Sequence, residues 1–226
     1  MRAADIPEYV QDGVVDCGIT GLDLVRERGA VVRELLPLGF GSCRLEAAVP
    51  AEATFESVDD LAGASVATVY PNLTRALLPA GVTLVDVSGS VEIAPRLGLA
   101  DAIVDLVSSG STLRTNGLRS LGVLLESEAV LVARAGAEAE PFAAMLRSVV
   151  EARHHRYLML NAPEDRLGEI ARLVAPRVPS VLPLAEPGMV AVHALVPAAD
   201  VWRLLPQLEA AGGSAILIVP VERMAA

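Results

Sequence analysis

Short runs of β-branched and aliphatic residues alternate with helix-like segments through the first half of the chain, and this alternation constrains the fold more than any other feature. The clearest strands are Val66–Val69, Val82–Val87 and Ala102–Val107. Helices are expected over Pro71–Leu78, which opens with a proline and is closed by Gly81, and over Ser90–Leu97. Strands that alternate with helices form βαβ units, so the sequence predicts an α/β fold with a parallel sheet.

The order of the elements changes after Arg119. An amphipathic helix is predicted over Ala137–His154, because its apolar residues recur on one face. Between Tyr157 and Val219 the pattern reads strand, helix, strand, strand, helix, strand, which is the ferredoxin-like order. We therefore expect two domains, 1–153 and 154–226.

The charge of the chain argues against nucleic-acid binding. The formal net charge is −10, and all 18 basic residues are arginines that form no basic run. Binding to nucleic acids depends mainly on neutralising phosphates, so no nucleic-acid partner is expected. A smaller phosphate ligand would need local devices instead, namely backbone N–H groups, hydroxyls or a metal ion.

The hydropathy pattern argues against a membrane protein. No apolar run approaches the roughly 20 residues that cross a bilayer. The first residues, Met1 to Asp5, lack the apolar core of a signal peptide, so the cytoplasm is the expected compartment. Cys17 and Cys43 have no metal-ligand spacing and are expected to be small buried hydrophobes.

The end of the strand Ala102–Val107 is the segment most informative about chemistry. Ligands of open α/β sheets lie beyond the carboxyl ends of the strands. A turn rich in hydroxyls and backbone N–H groups follows this strand and suits a phosphate without any lysine: Ser108, Ser109, Gly110, Ser111 and Thr112. Asp105, within the strand, is a candidate partner for a ribose hydroxyl or a metal-bound water. A serine-rich strand-to-helix turn without a ligand is the alternative.

Three further strand ends carry polar side chains. Tyr70 follows a strand and is a candidate neighbour of a flat base, although a capped helix explains the same residues. Gly18 to Asp23 forms a small-residue turn, but it lacks the lysine of a P-loop. Glu92 follows the Ser88-Gly-Ser90 turn, where an acidic residue also favours the dipole of a helix.

Six segments together resemble the ATP phosphoribosyltransferase family: GITGLDL, LGFGSCRL, ATVYPNLTR, VSGSVEIAP, GLADAIVDLVSSGSTLRTNGL and ILIVPVERM. They occur in the order of the family and span essentially the whole chain. The six-element ending resembles the long form, which regulates itself through an appended domain, whereas the short form needs a separate regulatory partner. The resemblance implies a two-lobed catalytic domain of the periplasmic-binding-protein type over 1–153, followed by a ferredoxin-like βαββαβ regulatory domain over 154–226.

The resemblance also implies the reaction. Family members join N1 of ATP to C1 of phosphoribosyl pyrophosphate (PRPP) and release pyrophosphate, with Mg²⁺ as cofactor, as the first step of histidine biosynthesis. Histidine is the implied feedback inhibitor, and the implied assembly is a homo-oligomer, from dimer to hexamer. Attack by a ring nitrogen on an oxocarbenium-like carbon requires positioning and stabilisation of the leaving pyrophosphate, and no covalent nucleophile.

Residue roles follow from the resemblance as expectations. The turn from Ser108 to Thr112 matches the loop that binds the 5′-phosphate of PRPP. Asp105 and Asp101 match acids near the ribose hydroxyls or a metal-bound water, and Asp105 and Glu92 match catalytic positions, with no direct protein ligand to the metal. The remaining matches are Asp23 and Tyr70 near the nucleotide, and Ser180, Leu195, Gly213 and Ala215 in the histidine pocket, for which ordinary strand ends are the alternative. The three histidines are expected to be structural.

The start of the chain departs from the family pattern. Family members begin with a strand and a basic turn, whereas Met1-Arg-Ala-Ala-Asp5 is similar to an internal family segment. We therefore expect an incomplete first lobe that lacks basic groups facing PRPP and ATP. A catalytically incomplete module that retains histidine or nucleotide binding is the alternative function, and a purely structural protein is the third.

Overall fold

The computed structural model describes residues 1–225, which form two compact units, Met1–Ala143 and a second one that begins at Ala144. The strands of the first unit are β1 (Cys17–Gly21), β2 (Arg33–Pro37), β3 (Cys43–Pro50), β4 (Ser65–Thr68), β5 (Thr83–Asp86), β6 (Ala102–Val107), β7 (Leu118–Ser127) and β8 (Ala129–Ala133). Its helices are α1 (Ile6–Gln11), α2 (Leu22–Arg28), α3 (Pro71–Leu77) and α4 (Ser111–Thr115). The helix α5 (Glu140–Arg153) contains the division between the units.

The first unit has two lobes, each built on its own sheet. The first lobe contains the three-stranded sheet β1-β8-β2 with α1 and α2, and the second contains the five-stranded sheet β5-β4-β6-β3-β7 with α3 and α4. Apolar side chains cover both faces of the larger sheet, with Leu45 and Val104 in one cluster and Ala48 and Ile103 in the other. The continuous apolar runs of its strands reflect this double burial.

The α/β class is confirmed, but the expectation of a parallel sheet holds for only part of it. β4 is parallel to β5 and β6, whereas β3 is antiparallel to β6 and β7. An apolar run encodes burial rather than strand direction. The chain enters the second lobe along β3, directly after β2 of the first lobe, and leaves it along β7, directly before β8 of the first lobe. These two crossings between the sheets set the direction of β3 and β7.

The expected helix over Ser90–Leu97 is wrong. Two 3-10 turns, Val91–Ile93 and Pro95–Leu97, occupy the segment. Ser90 has a left-handed φ of 51°, and Pro95 has no N–H with which to continue a helical ladder.

The second unit contains β9 (His155–Pro163), α6 (Leu167–Leu173), β10 (Ser180–Pro183), β11 (Met189–Pro197), α7 (Val201–Ala210) and β12 (Ser214–Pro220). Its sheet order is β10-β11-β9-β12, with antiparallel pairing throughout, so the predicted ferredoxin-like arrangement is confirmed. Alternate residues of β9 and β11, such as Leu160 and Val192, are buried against Ile170 of α6 and Leu208 of α7. None of the helices within residues 1–225 is long and apolar enough to span a lipid bilayer.

Candidate functional site

Two adjoining cavities lie where β6 ends and β3 begins. The larger encloses about 510 Å³ and is lined by Leu22, Ser42, Cys43, Arg44, Val107, Ser108, Glu126, Ser127 and Glu128. The smaller encloses about 190 Å³ and is lined by Glu92, Asp105, Leu106, Val107, Ser108, Ser109, Gly110, Thr112 and Leu113. Both share Val107 and Ser108, so they meet at the carboxyl end of β6, where ligands of α/β sheets bind.

The turn after β6 offers unused hydrogen-bond donors to the smaller cavity. Gly110 has a φ of 71°, a conformation that glycine adopts without strain. Within residues 1–225 the backbone N–H groups of Ser109 and Gly110 have no protein acceptor. The hydroxyls of Ser109 and Ser111 are exposed and lie 2.9 Å apart. The structure therefore contains the turn predicted from the sequence, and the hydrogen-bond donors of this turn suit an anion.

Asp105 lies beside this turn in a half-buried position. Its Oδ1 accepts a hydrogen bond of 2.8 Å from the backbone N–H of Leu106. Burial raises the pKa of Asp105 above its ordinary value of 3.8; the Leu106 bond opposes this rise, and the nearby charge of Glu92 adds to it. Asp105 and Glu92 thus line the same cavity, and their catalytic role stays a prediction.

Asp101 lies at the opposite end of β6. Four residue steps along the extended chain separate it from Asp105, which corresponds to about 13 Å. Its carboxylate accepts hydrogen bonds from the hydroxyl and the backbone N–H of Ser65, at 2.6 and 2.8 Å, and these bonds lower its pKa. The structure therefore does not bring Asp101 together with the turn.

Asp23 and Tyr70 contact each other in the protein interior, with exposed fractions of only 5% and 8%. The Tyr70 hydroxyl donates to Asp23 Oδ2 at 3.0 Å, and the Ser127 hydroxyl donates to Asp23 Oδ1 at 2.6 Å. Burial, followed by the charge of Asp23, raises the pKa of Tyr70. These groups join the two lobes, and their predicted role in nucleotide binding stays a prediction.

The four residues expected in the histidine pocket lie in the second unit, spread across its sheet. Ser180 begins β10 at one edge, and Ala215, with a φ of 47°, lies in β12 at the opposite edge, directly after Gly213. Leu195 lies in β11, between these edges. Three strand spacings separate the edges, roughly 14 Å. One copy of the unit therefore does not gather these residues around one amino acid.

Sequence reasoning missed a pair of opposite charges in β3. Glu46 is buried, with an exposed fraction of 5%, and its Oε1 lies 3.0 Å from Nη2 of Arg44. Arg44 in turn lines the larger cavity. The available signal was the spacing of two residues between opposite charges in an apolar strand, which places both side chains on one face of the sheet.

Cys43 also lines the larger cavity, so it is half-buried rather than buried as expected, and Cys17 is likewise half-buried. Burial raises the pKa of the Cys43 thiol, the charge of Asp23 raises it further, and a hydrogen bond with Ser127 opposes the rise. Residues 1–225 contain no cluster of three or more His, Cys, Asp or Glu side chains placed to hold a metal ion.

Comparison with known families gives two matches that together span nearly the whole chain. Residues 2–152 match the family described as "HisG: ATP phosphoribosyltransferase", and residues 152–223 match "HisG, C-terminal domain". The predicted boundary between residues 153 and 154 stays a prediction: the family matches meet at residue 152, and the compact units divide after Ala143.

Curated relatives named ATP phosphoribosyltransferase match 99% of this chain. The protein of Halobacterium salinarum is 45% identical, with 82% of its own length covered. The protein of Gemmatimonas aurantiaca is 46% identical, with 83% covered, and that of Methanosarcina mazei is 41% identical, with 82% covered.

Solved structures show the same two-lobed fold. The ATP phosphoribosyl transferase (HisG:HisZ) complex from Thermotoga maritima matches with a TM-score of 0.58 and 26% identity, over 67% of this chain and 78% of that chain. A substrate-binding protein of an amino acid ABC transporter matches with a TM-score of 0.50 and 18% identity, over 67% of this chain and 70% of that one. The expected periplasmic-binding-protein-like architecture is thereby confirmed.

Proposed function

The chain belongs to the ATP phosphoribosyltransferase family, and on that premise we propose that the two adjoining cavities bind PRPP and ATP. The family is one of pentosyltransferases that take the first step of histidine biosynthesis. N1 of ATP forms a bond to C1 of PRPP, and pyrophosphate leaves. The observation that carries the proposal is the turn after β6, whose unused N–H groups and hydroxyls lie beside Asp105.

The smaller cavity takes the phosphoribosyl group. The turn from Ser108 to Thr112 donates hydrogen bonds to the 5′-phosphate, and Asp105 accepts them from the ribose hydroxyls. Both carboxylates of the cavity, Asp105 and Glu92, favour the positive charge that develops on the sugar ring as pyrophosphate departs. No nucleophile of the protein is needed, because the attacking nitrogen belongs to ATP.

The larger cavity takes the adenine and the diphosphate. It shares Val107 and Ser108 with the smaller cavity, so a nucleotide bound there would lie next to the sugar. Holding the two substrates in line supplies much of the rate enhancement in a displacement of this kind.

Mg²⁺ is the proposed cofactor, and the residues present fit it as a partner of the substrate phosphates. Mg²⁺ commonly keeps several waters and is held through substrate phosphates, and the carboxylates of Asp105 and Glu92 in the smaller cavity would accept hydrogen bonds from those waters without direct ligation. When bound, the ion neutralises charge on the diphosphate.

Histidine is the proposed inhibitor, and the second unit is its proposed receptor. The match of residues 152–223 to the C-terminal domain of the family supports a self-regulated chain. Because Ser180 and Ala215 lie at opposite edges of the sheet, we infer that the pocket forms between copies in a homo-oligomer that ranges from dimer to hexamer. Coupling between this pocket and the cavities then requires a shift in packing or assembly.

The test compares two glycines with the same backbone conformation. Gly110 and Gly117 have φ of 71° and 69°, so alanine at either position costs about 1–2 kcal/mol of stability. Only Gly110 lines a cavity, and an alanine Cβ there would lie 3.2 Å from Nη1 of Arg114. With ATP, PRPP and Mg²⁺, we expect the unsubstituted chain to form N1-(5-phosphoribosyl)-ATP and pyrophosphate, measured by chromatography.

Gly110→Ala is expected to raise the KM for PRPP about tenfold, because roughly 1.4 kcal/mol of phosphate binding is lost, while Gly117→Ala leaves it unchanged. Equal KM values for both variants would refute the assignment of the turn. Histidine or nucleotide binding without any product would instead indicate the ligand-binding module.

A further inference from the structure

The larger cavity presents a charge problem for a substrate that carries a diphosphate. Its lining includes two carboxylates, Glu126 and Glu128, which repel phosphate oxygens. Among the lining residues in the described part of the chain, Arg44 alone is basic. The chain has no lysine with which to supplement it.

Arg44 is placed next to the phosphate-binding turn by the pairing of β3. It lies opposite Val107 of β6 and opposite Glu126 of β7, and directly paired residues project from the same face of a sheet. Val107 immediately precedes Ser108. The guanidinium therefore belongs to the side of the larger cavity that adjoins the turn.

Glu46 forms an ion pair with Arg44. The carboxylate is almost fully buried, and a buried carboxylate is stabilised by a partner of opposite charge. The Arg44–Glu46 contact of 3.0 Å meets that need and restrains the arginine side chain. Within residues 1–225 this is the one ion pair of Arg44, so most of its five N–H donors stay available to a ligand in the cavity.

We propose that Arg44 binds the diphosphate of PRPP and stabilises the departing pyrophosphate, with Glu46 as the positioning residue that orients the guanidinium. This role rests on the proposed function. The lone pair of N1 forms the bond to C1, the electron pair of the breaking C1–O bond leaves on pyrophosphate, and no proton moves in this step. Arg44 donates hydrogen bonds to the oxygens that gain charge, where donors are most effective.

The alternative is that Arg44 only compensates the buried Glu46. Arg44→Gln alone leaves that carboxylate without a partner and is expected to destabilise the fold. The double variant Arg44→Gln with Glu46→Gln removes both charges and leaves two polar amides, so it tests ligand binding in a folded chain. Arg96→Gln is the matched control, because Arg96 is an arginine outside both cavities and without an ion pair among residues 1–225.

The experiment measures binding of PRPP, pyrophosphate and ribose 5-phosphate to the full chain by calorimetry with MgCl₂, together with kcat and KM. Loss of a charge-assisted bond typically weakens affinity about 10- to 100-fold. For the double variant we expect that loss for PRPP and pyrophosphate and a lower kcat, with ribose 5-phosphate binding unchanged. Arg44→Lys should recover part of the affinity, and Arg96→Gln should match the unsubstituted chain.

Two results would overturn the proposal: unchanged pyrophosphate affinity in the folded double variant, or an equal loss for ribose 5-phosphate. The first would leave Arg44 with its structural role alone, and the second would show a general disturbance of the site. Failure of the unsubstituted chain to bind both PRPP and ribose 5-phosphate would reject the proposed function itself, and with it the role of Arg44.

Discussion

Asp105 lies within β6 and Asp101 immediately precedes that strand, yet their surroundings shift their pKa values in opposite directions. Burial, with a further contribution from Glu92, raises the pKa of Asp105, whereas hydrogen bonds from Ser65 lower that of Asp101. A carboxylate with a raised pKa makes the folded chain less stable as the pH rises from 3.8 through that pKa. One with a lowered pKa stabilises the fold above 3.8, and this gain is lost as the pH falls through the lowered value.

Replacing each of the two residues by asparagine should therefore change Tm in opposite directions at neutral pH. Asp105→Asn is expected to raise Tm at pH 7 while it lowers kcat/KM for PRPP at least tenfold, as expected for loss of roughly 1.4 kcal/mol of transition-state stabilisation. Asp101→Asn is expected to lower Tm at pH 7 and to leave the KM for PRPP unchanged. Thermal melts from pH 3 to pH 8 measure both effects. The difference in Tm between Asp105→Asn and the unsubstituted chain should vanish below pH 3.8. A lower Tm for Asp105→Asn at pH 7 would contradict the burial argument.

At the scale of the elements, the turn between α7 and β12 is closed by Gly213. Its N–H donates to the Leu208 carbonyl at 2.8 Å. A Cβ at this position would lie 2.7 Å from that carbonyl oxygen and 2.9 Å from Cδ1 of Leu160. Since the oxygen belongs to the backbone, the turn has little freedom to relax.

We expect Gly213→Ala to destabilise the second unit by about 1–3 kcal/mol, the usual effect of overpacking. Gly168 is the matched control: it lies in α6, a Cβ there has nothing within 4 Å, and alanine gains up to about 1 kcal/mol of helix propensity. Urea unfolding of the two variants should therefore shift in opposite directions. Equal urea midpoints for the two variants would show that the turn accommodates the added Cβ without loss of stability.

The elements that could be predicted from the sequence are those with local signals. The ferredoxin-like order followed from alternating strands and helix ends between Tyr157 and Val219, and the turn from Ser108 to Thr112 is one contiguous segment. Strand direction could not be predicted, because β3 pairs with strands more than fifty residues away. The Arg44–Glu46 pair was missed for a similar reason: two charges in an apolar strand do not reveal which neighbour buries one of them.

The two lobes of the first unit are joined by a buried polar contact between α2 and α3. The Glu27 carboxylate accepts hydrogen bonds from the backbone N–H groups of Asn72 and Leu73, at 3.0 and 2.8 Å. It thereby caps the start of α3 from the other lobe, where a negative charge is favoured by the helix dipole. Together with the Tyr70–Asp23 bond, this contact links the two lobes through buried polar groups.

Glu27→Gln is expected to destabilise the first unit by about 1–3 kcal/mol, because a charged acceptor of two buried donors is lost. Amide hydrogen exchange at Asn72 and Leu73 should become faster in this variant. Glu8→Gln provides the comparison, since the Glu8–Arg28 pair is about half exposed and such pairs contribute about 0–1 kcal/mol. Unchanged exchange at both amides would mean that Glu27 does not hold α3.

The placement of Ser180 and Ala215 at opposite edges of one sheet has a consequence for physiology. The proposed receptor, assembled from two copies, would exist only when the copies meet, so the proposed sensitivity to histidine would be a property of the protein population. Dilution below the dissociation constant of the assembly would give a chain that responds weakly to histidine, whatever its catalytic rate. The amount of protein in the cell would then determine how strongly histidine inhibits the enzyme.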